Sequence, residues 1–428
     1  MKNYTQAQID SSFKYLLASR VFRSVALSFV TLALPLYLIF VLHQDLISVG
    51  LVYFGIMLFT AIVSFSFGVA SDSIGYAKTM LIAELLPFAG LLGLFLSTFI
   101  TSTGTSMLLI VISAMLAGVS GVGGMRGSYS SGQIALIANN WNNNDDRINR
   151  MSRIITAASI ASIVGGFLLV FQGMLNRALQ SSTTELIANT LSYRYFFLLS
   201  TMLVLLSIIC IYFVKEAKRQ KKKHIAIRKA SESYTVKVMI SQAISGIGMG
   251  LALPILPALI AKSFSLSAAI SSQYIGYVFG FGYLFIAISS FYVSRIIYRR
   301  KLNTLNVAAF SRVSQGIILV LVAVTIALLR SRVLIGMAAV GVLYVIYSAF
   351  IGIGAPMRQS INMKGIRAND YGTASAGMSA AIQLPQVSTG VSGVLSEIVA
   401  AFASLPVAMG GAFLIVGGIV YWRLLKRK

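Results

Sequence analysis

The two halves of this chain repeat each other in sequence. The strongest match aligns sixteen residues without a gap, and eight of those positions are identical. The matched pairs follow the same order in both halves: Leu32–Pro35 with Leu251–Pro254, Gly50–Phe65 with Gly276–Phe291, and Gly121–Ser128 with Gly352–Ser360. A membrane protein built from two like-oriented halves is expected to be a transporter, with a substrate site where the halves meet.

Long apolar stretches dominate the sequence. Of its 428 residues, 57% are hydrophobic and 11% are charged, whereas a soluble domain carries roughly 25% charged residues. A transmembrane helix needs about 20 apolar residues, so the sequence predicts an all-α polytopic membrane protein of about 12 spans. Their approximate ranges are 18–41, 46–70, 77–100, 106–139, 151–175, 193–214, 234–262, 272–297, 303–329, 333–363, 370–399 and 403–423.

If the N-terminus lies inside the cell, most of the basic residues fall in the connecting segments on the cytoplasmic side. The net charge is +24, and its bias follows the positive-inside rule. We therefore expect both termini in the cytoplasm and a multi-pass protein of the cell (plasma) membrane, with no nucleic acid as a partner. The single cysteine, Cys210, excludes disulfides within the chain. No cofactor and no metal are expected.

A basic segment divides the chain into halves of similar length. Residues 215–233 separate a predicted N-terminal six-helix bundle, 1–214, from a C-terminal one, 234–428. We interpret the segment as a solvated cytoplasmic linker; the alternative is a surface helix that binds anionic lipids. Each half has an even number of spans, so both have the same orientation. One chain then provides a complete pathway, and we expect a functional monomer.

Twelve spans in two parallel six-helix repeats, joined by a basic loop, resemble the major facilitator superfamily. The loop after span two reads Gly68-Val-Ala-Ser-Asp72-Ser-Ile-Gly75-Tyr-Ala-Lys78 and is similar to the loop motif of that family. An aromatic-Arg-aromatic run at 193–195 is similar to the family's start of span six. The resemblance implies the major facilitator fold, with Gly68, Asp72, Gly75 and Lys78 as gating residues. The alternative for this loop is a solvated turn.

Besides the arginines at or near the ends of predicted spans, three more, Arg126, Arg312 and Arg358, lie within spans. A charge at mid-bilayer costs about 2.5–3.5 kcal/mol on insertion scales, so each needs a physical reason. Arg126 and Arg358 occupy matching places in spans four and ten, which the resemblance implies line a central cavity. Guanidinium groups there suit a carboxylate or phosphate substrate. The alternative is gating or structural pairing with acids in nearby loops.

Polar residues at helical spacing give further candidates. Arg20 and Arg23, at the start of span one, are interpreted as positive-inside anchors. Glu84 in span three is the candidate for proton coupling, and the alternative is that it pairs with a base of a neighbouring span. The other substrate-binding candidates are Ser28 and Thr31 in span one, Gln133 in span four, Tyr347 in span ten, and Gln383 and Gln386 in span eleven.

The leading hypothesis is a secondary transporter or uniporter of a small organic solute that works by alternating access, with a possible coupling proton or ion. Intramembrane arginines with few acids favour an organic anion. The alternatives are a multidrug or sugar transporter, and more remotely a transporter-like sensor or a membrane-embedded enzyme. The sequence has no Gly-rich loop ending in Gly-Lys-Ser/Thr, which argues against ATP-driven pumping. It shows no nucleophile-base pair or acid pair at membrane depth, so we expect no enzyme.

Overall fold

The computed structural model describes residues 4–100, 103–119, 128–141, 144–217, 229–300, 303–364, 366, 371–399 and 402–426. Throughout these ranges the regular secondary structure is helical, which confirms the all-α prediction. The first half contains α1 (Gln6–Phe40), α2 (Leu46–Ile74), α3 (Tyr76–Ser97), α4 (Thr103–Ala117), α5 (Ser128–Asn140), α6 (Asn144–Leu179) and α7 (Glu185–Tyr212). The second half contains α8 (Lys229–Ala252), α9 (Leu256–Ser263), α10 (Ala268–Arg300), α11 (Thr304–Leu328), α12 (Val333–Lys364), α13 (Tyr371–Gln383), α14 (Thr389–Ile398) and α15 (Leu405–Leu425).

Local sequence signals account for several helix ends. Thr5 and Gln8 form a capping box that begins α1. Asp45 caps α2 by accepting a hydrogen bond from the backbone N–H of Ser48 at 2.8 Å. Gly75 separates α2 from α3 at φ 124°, a conformation that side chains with a Cβ rarely adopt. This glycine belongs to the loop motif found in the sequence.

Ten of the described segments are long and apolar enough to cross a membrane. The predicted fourth and eleventh spans are not among these ten, and within the described residues each corresponds to two shorter helices, α4 and α5, and α13 and α14. Span eleven consists of α13 and α14 with a short 3₁₀ turn, Leu384–Ser388, between them. Pro385 lies at the start of that turn, where its missing N–H prevents a continuous α-helix.

The single helix predicted over 106–139 is wrong. Instead, α4 ends at Ala117, and Gly118 adopts φ 62° directly after it. A left-handed glycine is a common helix terminator. A second helix, α5, begins at Ser128. Gln133 lies on α5, and Arg126 lies outside the described residues.

The two halves meet along seams of small residues. In one seam α6 packs against α10, and in the other α2 packs against α13 and α14. A Cβ added to Gly166 of α6 would lie 2.8 Å from the Cα of Gly280 in α10. Likewise, a Cβ on Gly50 of α2 would lie 3.0 Å from the Cα of Gly393 in α14. Small residues let helix backbones approach closely in membranes, so these glycines set the spacing between the halves.

Within each half the helices pack in the same relative pattern. Helix α1 packs against α6 and α7, and α3 against α4 and α7. In the second half α8 packs against α15, and α11 against α12 and α15. The division into bundles 1–214 and 234–428 agrees with this packing and stays a prediction. Each group of helices encloses a set of buried polar side chains on its inner side.

Candidate functional site

The first half contains a buried ion pair between α1 and α3. Arg23 donates through Nη1 to Glu84 Oε2, and their side chains are 3% and 0% exposed. Ser207 of α7 donates to the other carboxylate oxygen at 3.0 Å. Glu84 therefore pairs with the base of a neighbouring span, which was the alternative reading of this residue. Its role in proton coupling stays a prediction.

Two further residues extend this N-half cluster, which we define as Arg20, Arg23, Glu84, Tyr129 and Ser207. The guanidinium carbons of Arg20 and Arg23 lie 5.7 and 4.8 Å from the ring centre of Tyr129. Arg20 is 4% exposed. Arg20 and Arg23 were interpreted as anchors at the membrane surface, and the structure buries both side chains among the helices of the first half.

The second half contains a small polar cavity, which we call the C-half cavity. Its lining residues are Ser241, Gln242, Arg312, Arg358 and Tyr421. They come from α8, α11, α12 and α15. Arg312 and Arg358 are 5% and 8% exposed, and both guanidinium groups lie within electrostatic range of the Tyr421 hydroxyl. The cavity thus brings two buried cations together with hydroxyl and amide groups.

Arg358, a predicted substrate-binding residue, is held in this cavity by its neighbours. Its Nη1 donates to Ser311 Oγ of α11 at 3.0 Å. The Tyr421 hydroxyl, which also lines the cavity, donates to Asn362 Oδ1 at 2.9 Å. Arg358 therefore lies among the helices of the second half. Its predicted counterpart, Arg126, lies outside the described residues.

The other substrate-binding candidates are buried but make local contacts. Ser28 donates to Ser162 Oγ of α6 at 2.8 Å. Gln383 donates to Ser379 Oγ at 3.3 Å, and Gln386 donates to the Ile382 carbonyl at 2.8 Å. These three side chains therefore bond within their own half.

Three more candidates lie near aromatic or amide groups. The backbone carbonyl of Thr31 accepts a hydrogen bond from the Tyr53 hydroxyl at 3.3 Å. Tyr347 is 1% exposed, with its ring centre 5.7 Å from that of Tyr344. Gln133 is 5% exposed, and its Nε2 has no hydrogen-bond partner among the described residues. Substrate contact by these residues stays a prediction.

The predicted gating loop lies beside the second half. A Cβ added to Gly68 would lie 2.3 Å from the Cβ of Ala376 in α13, so α2 and α13 touch at this point. Lys78 is exposed. The side chain of Asp72 lies outside the description, and the proposed gating role of these residues stays a prediction.

Sequence reasoning missed several residues of these clusters. Arg312 was recognised as intramembrane but received no role, while Ser241, Gln242 and Tyr421 were not considered. Gln242 could have been found from the internal repeat, because it precedes the second LALP segment by the same number of residues as Arg23 precedes the first. Glu216 was also missed. Its carboxylate accepts a hydrogen bond from the Ala77 backbone N–H at 3.0 Å, which ties the chain after α7 to the start of α3.

The comparisons with known proteins agree with this architecture. Residues 16–390 match the family model described as Major Facilitator Superfamily. A search of the curated proteins found no match. The fold is similar to that of the xylose transporter from E. coli, with a TM-score of 0.69 and 12% identity, over 98% of both chains.

Two further solved structures have the same fold. The human organic anion transporter TETRAN gives a TM-score of 0.59 at 14% identity, over 98% of this chain and 100% of that chain. A bacterial homologue of the iron transporter ferroportin gives 0.65 at 14% identity, over 97% of this chain and 100% of that chain. At such identities the similarity concerns the fold alone.

Proposed function

Because the chain belongs to the major facilitator superfamily, we propose that it carries a small organic anion across the plasma membrane by alternating access. At the level of the family it is a multi-pass membrane protein and a transporter of small solutes, not an enzyme. The anionic substrate, the plasma membrane and the cytoplasmic termini belong to the proposal. In this proposal, bundles 1–214 and 234–428 rock about their glycine seams.

The observation that carries the proposal is the burial of Arg358 beside Arg312 in one polar cavity. Two neighbouring guanidinium groups make this part of the second half positively charged, which suits an anionic ligand. A carboxylate or phosphate accepts two parallel hydrogen bonds from a guanidinium group, which makes such an anion the best-matched ligand. One protein with the same fold, the human organic anion transporter TETRAN, is consistent with this substrate class.

A sugar is the second candidate, and a group of buried tyrosines favours it. Tyr283 lies on α10 and Tyr344 and Tyr347 lie on α12, and the hydroxyl of Tyr344 is within electrostatic range of the other two. The ring of Tyr344 also lies 4.1 Å from that of Phe279. Aromatic faces with hydroxyl groups suit a neutral polyol. Among structures with this fold, one is a xylose transporter and another is a fucose:proton symporter.

The remaining alternative, a multidrug transporter for lipophilic cations, has less support. Such a cation needs a buried acid in its binding site, and the buried Glu84 already pairs with Arg23. The same pair supports a role for Glu84 in coupling transport to the binding of a proton. A proton on Glu84 would remove the charge that holds Arg23, so proton binding and opening of the pair would be linked. Anionic lipids at the basic linker 215–233 and function as a monomer complete the proposal.

Ligand-dependent stabilisation of the purified protein tests the substrate class. The panel contains small carboxylates, sugars and lipophilic cations. A ligand that binds only the folded state raises stability by about 2.7 kcal/mol at a hundredfold excess over its dissociation constant. We expect carboxylates to stabilise the protein, Arg358→Ala to lose the effect, and Arg332→Ala, at an exposed position, to keep it. Stabilisation by sugars alone or by cations alone would refute the anion proposal.

A further inference from the structure

The two prolines of the repeated LALP segments have different effects on the spans that contain them. Proline has no N–H, so it removes the helical hydrogen bond to the carbonyl four residues earlier. In the first half, Pro35 frees the carbonyl of Thr31, the Tyr53 hydroxyl donates to that carbonyl at 3.3 Å, and α1 continues through the proline. In the second half, Pro254 lies in a turn that divides span seven into α8 and α9. This division leaves several carbonyls at the end of α8 without a helical donor.

Span eleven supplies hydroxyl groups to the end of α8. Three of its side chains donate to backbone carbonyls there: Ser388 to Ile247 at 3.0 Å, Thr389 to Gly250 at 2.8 Å, and Ser392 to Leu251 at 2.6 Å. The carbonyl of Gly250 is the one that Pro254 frees. The Thr389 hydroxyl also lies 2.7 Å from the carbonyl oxygen of Gln386, so two acceptors share its proton. Lipid has no donor that could replace these bonds, and each hydroxyl therefore satisfies a carbonyl that would otherwise be costly.

The contact depends on a break in each span at the same level of the helix bundle. Span eleven is divided by the 3₁₀ turn Leu384–Ser388, and its three hydroxyl groups lie at the end of that turn and in the first residues of α14. A Cβ added to Gly250 would lie 2.4 Å from Ser388 Oγ and 2.6 Å from the carbonyl oxygen of Gln386. This close approach therefore requires glycine at position 250.

Helices α9 and α14, which follow the two breaks, are also joined at their far ends. Lys262 Nζ, near the end of α9, lies 2.8 Å from Glu397 Oε1, near the end of α14. The helices have 8 and 10 residues, which corresponds to about 12 and 15 Å. Both contact the first half, because α9 packs against α1 and α14 packs against α2. The two short helices are thus tied together at both ends, and they lie between the halves.

We propose that Ser388, Thr389 and Ser392 are positioning residues for transport, because their bonds to α8 keep span seven divided and make α9 and α14 tilt as one unit when the halves move. A continuous span seven would move rigidly with α8, as the continuous α1 does in the first half. The inference uses only the membership of the chain in a transporter family. It does not depend on the choice of an anionic substrate.

The distance between the far ends of α9 and α14 tests the inference. Nitroxide labels are placed at the exposed Ser265, after α9, and at the exposed Ile398, the last residue of α14, in a Cys210→Ser background. Double electron–electron resonance of the purified full-length protein in lipid nanodiscs gives the distance distribution. We expect one narrow distance in this parent, and a broader or second distance in Thr389→Val/Ser392→Ala, which lacks two of the three hydroxyl groups.

The same double variant should transport about three- to twentyfold more slowly in proteoliposomes, because hydrogen bonds between membrane helices have modest coupling energies. The rate is measured with a carboxylate that the wild type takes up or, if it takes up none, with xylose. If neither solute is taken up, the distances alone decide. The matched control is Thr201→Val, since Thr201 is buried and its hydroxyl donates to the Phe197 carbonyl of its own helix at 2.8 Å. This control should change neither the rate nor the distance.

Variants that keep a hydroxyl group separate hydrogen bonding from side-chain packing. Thr389→Ser and Ser392→Thr should retain the narrow distance and the wild-type rate, and size-exclusion chromatography checks that every variant is folded. The inference is overturned if folded Thr389→Val/Ser392→Ala has the distance and the rate of the parent. It is also overturned if Thr389→Ser, Ser392→Thr and Thr201→Val are impaired to the same extent. A broadened distance in a protein that transports no carboxylate would support the inference and refute only the anionic substrate.

Discussion

Removing either partner of the buried Arg23–Glu84 pair should strongly destabilise the protein. The side chains are 3% and 0% exposed, and breaking a pair buried this deeply costs about 3–5 kcal/mol because the remaining charge is uncompensated. Glu84→Gln leaves both Arg20 and Arg23 without this carboxylate, so we expect the upper end of that range. Arg23→Met leaves Glu84 with Arg20 and the Ser207 hydroxyl, so we expect the lower end.

The double variant Arg23→Met/Glu84→Gln should cost clearly less than the sum of the two single variants. Residues in direct contact show coupling energies of about 0.5–3 kcal/mol. The chain has one cysteine, Cys210, which lies partly buried on α7. Each variant is unfolded by denaturant in detergent, and the extent of unfolding is monitored by the labelling of the Cys210 thiol. The unfolding curve gives the free energy of unfolding of each variant.

A matched control uses an exposed ion pair. Lys262 Nζ lies 2.8 Å from Glu397 Oε1, and the two side chains are 41% and 33% exposed. Exposed pairs contribute about 0–1 kcal/mol, so Lys262→Ala should change the unfolding free energy little. The reasoning is refuted if Arg23→Met and Glu84→Gln each unfold like Lys262→Ala. It is also refuted if the double variant costs the full sum.

Two further predictions concern the seam and a helix cap. Gly166→Ala should lower the transport rate, because the added Cβ would lie 2.8 Å from the Cα of Gly280. The control Gly104→Ala should leave the rate unchanged, because a Cβ there has no neighbour within 4 Å. Equal transport rates of the two variants in a proteoliposome assay would contradict this prediction. Asp45→Ala should cost about 0.5–2 kcal/mol. Hydrogen bonds from the side chain and backbone of Ser48 lower the pKa of Asp45. This stabilisation is therefore present above the unfolded-state pKa, near pH 4, and is lost as the pH falls through the folded-state pKa. A pH-independent difference between wild type and Asp45→Ala in thermal unfolding would count against it.

The fold was largely predictable because hydropathy and the internal repeat can both be read directly from the order of residues in the sequence. Long apolar stretches indicate spans, and the order of the repeated segments indicates two like-oriented halves. The breaks within spans were harder to predict. Pro35 lies inside the continuous α1, whereas the matching Pro254 lies in a turn between α8 and α9. A second proline, Pro257, lies in the first turn of α9, and no such residue follows Pro35 at that distance.

The candidate site was less predictable because its geometry depends on how helices rotate against one another. Helical spacing placed Arg358 on the face of span ten that was expected to line a central cavity, but the structure holds it against Ser311 of α11. Similarly, Arg20 and Arg23 had the sequence position of membrane-surface anchors. Only the packing of α3, which brings Glu84 to α1, shows that they are interior residues.

Uptake of radiolabelled small carboxylates into proteoliposomes tests the central claim, organic-anion transport, most directly. The account predicts uptake of at least one carboxylate by the wild-type protein, with loss of uptake in Arg358→Ala and normal uptake in Arg332→Ala. Arg126→Ala is measured in parallel because the repeat pairs Arg126 with Arg358. Transport that is normal in both Arg126→Ala and Arg358→Ala, or a wild-type protein that transports xylose and no carboxylate, would contradict the account.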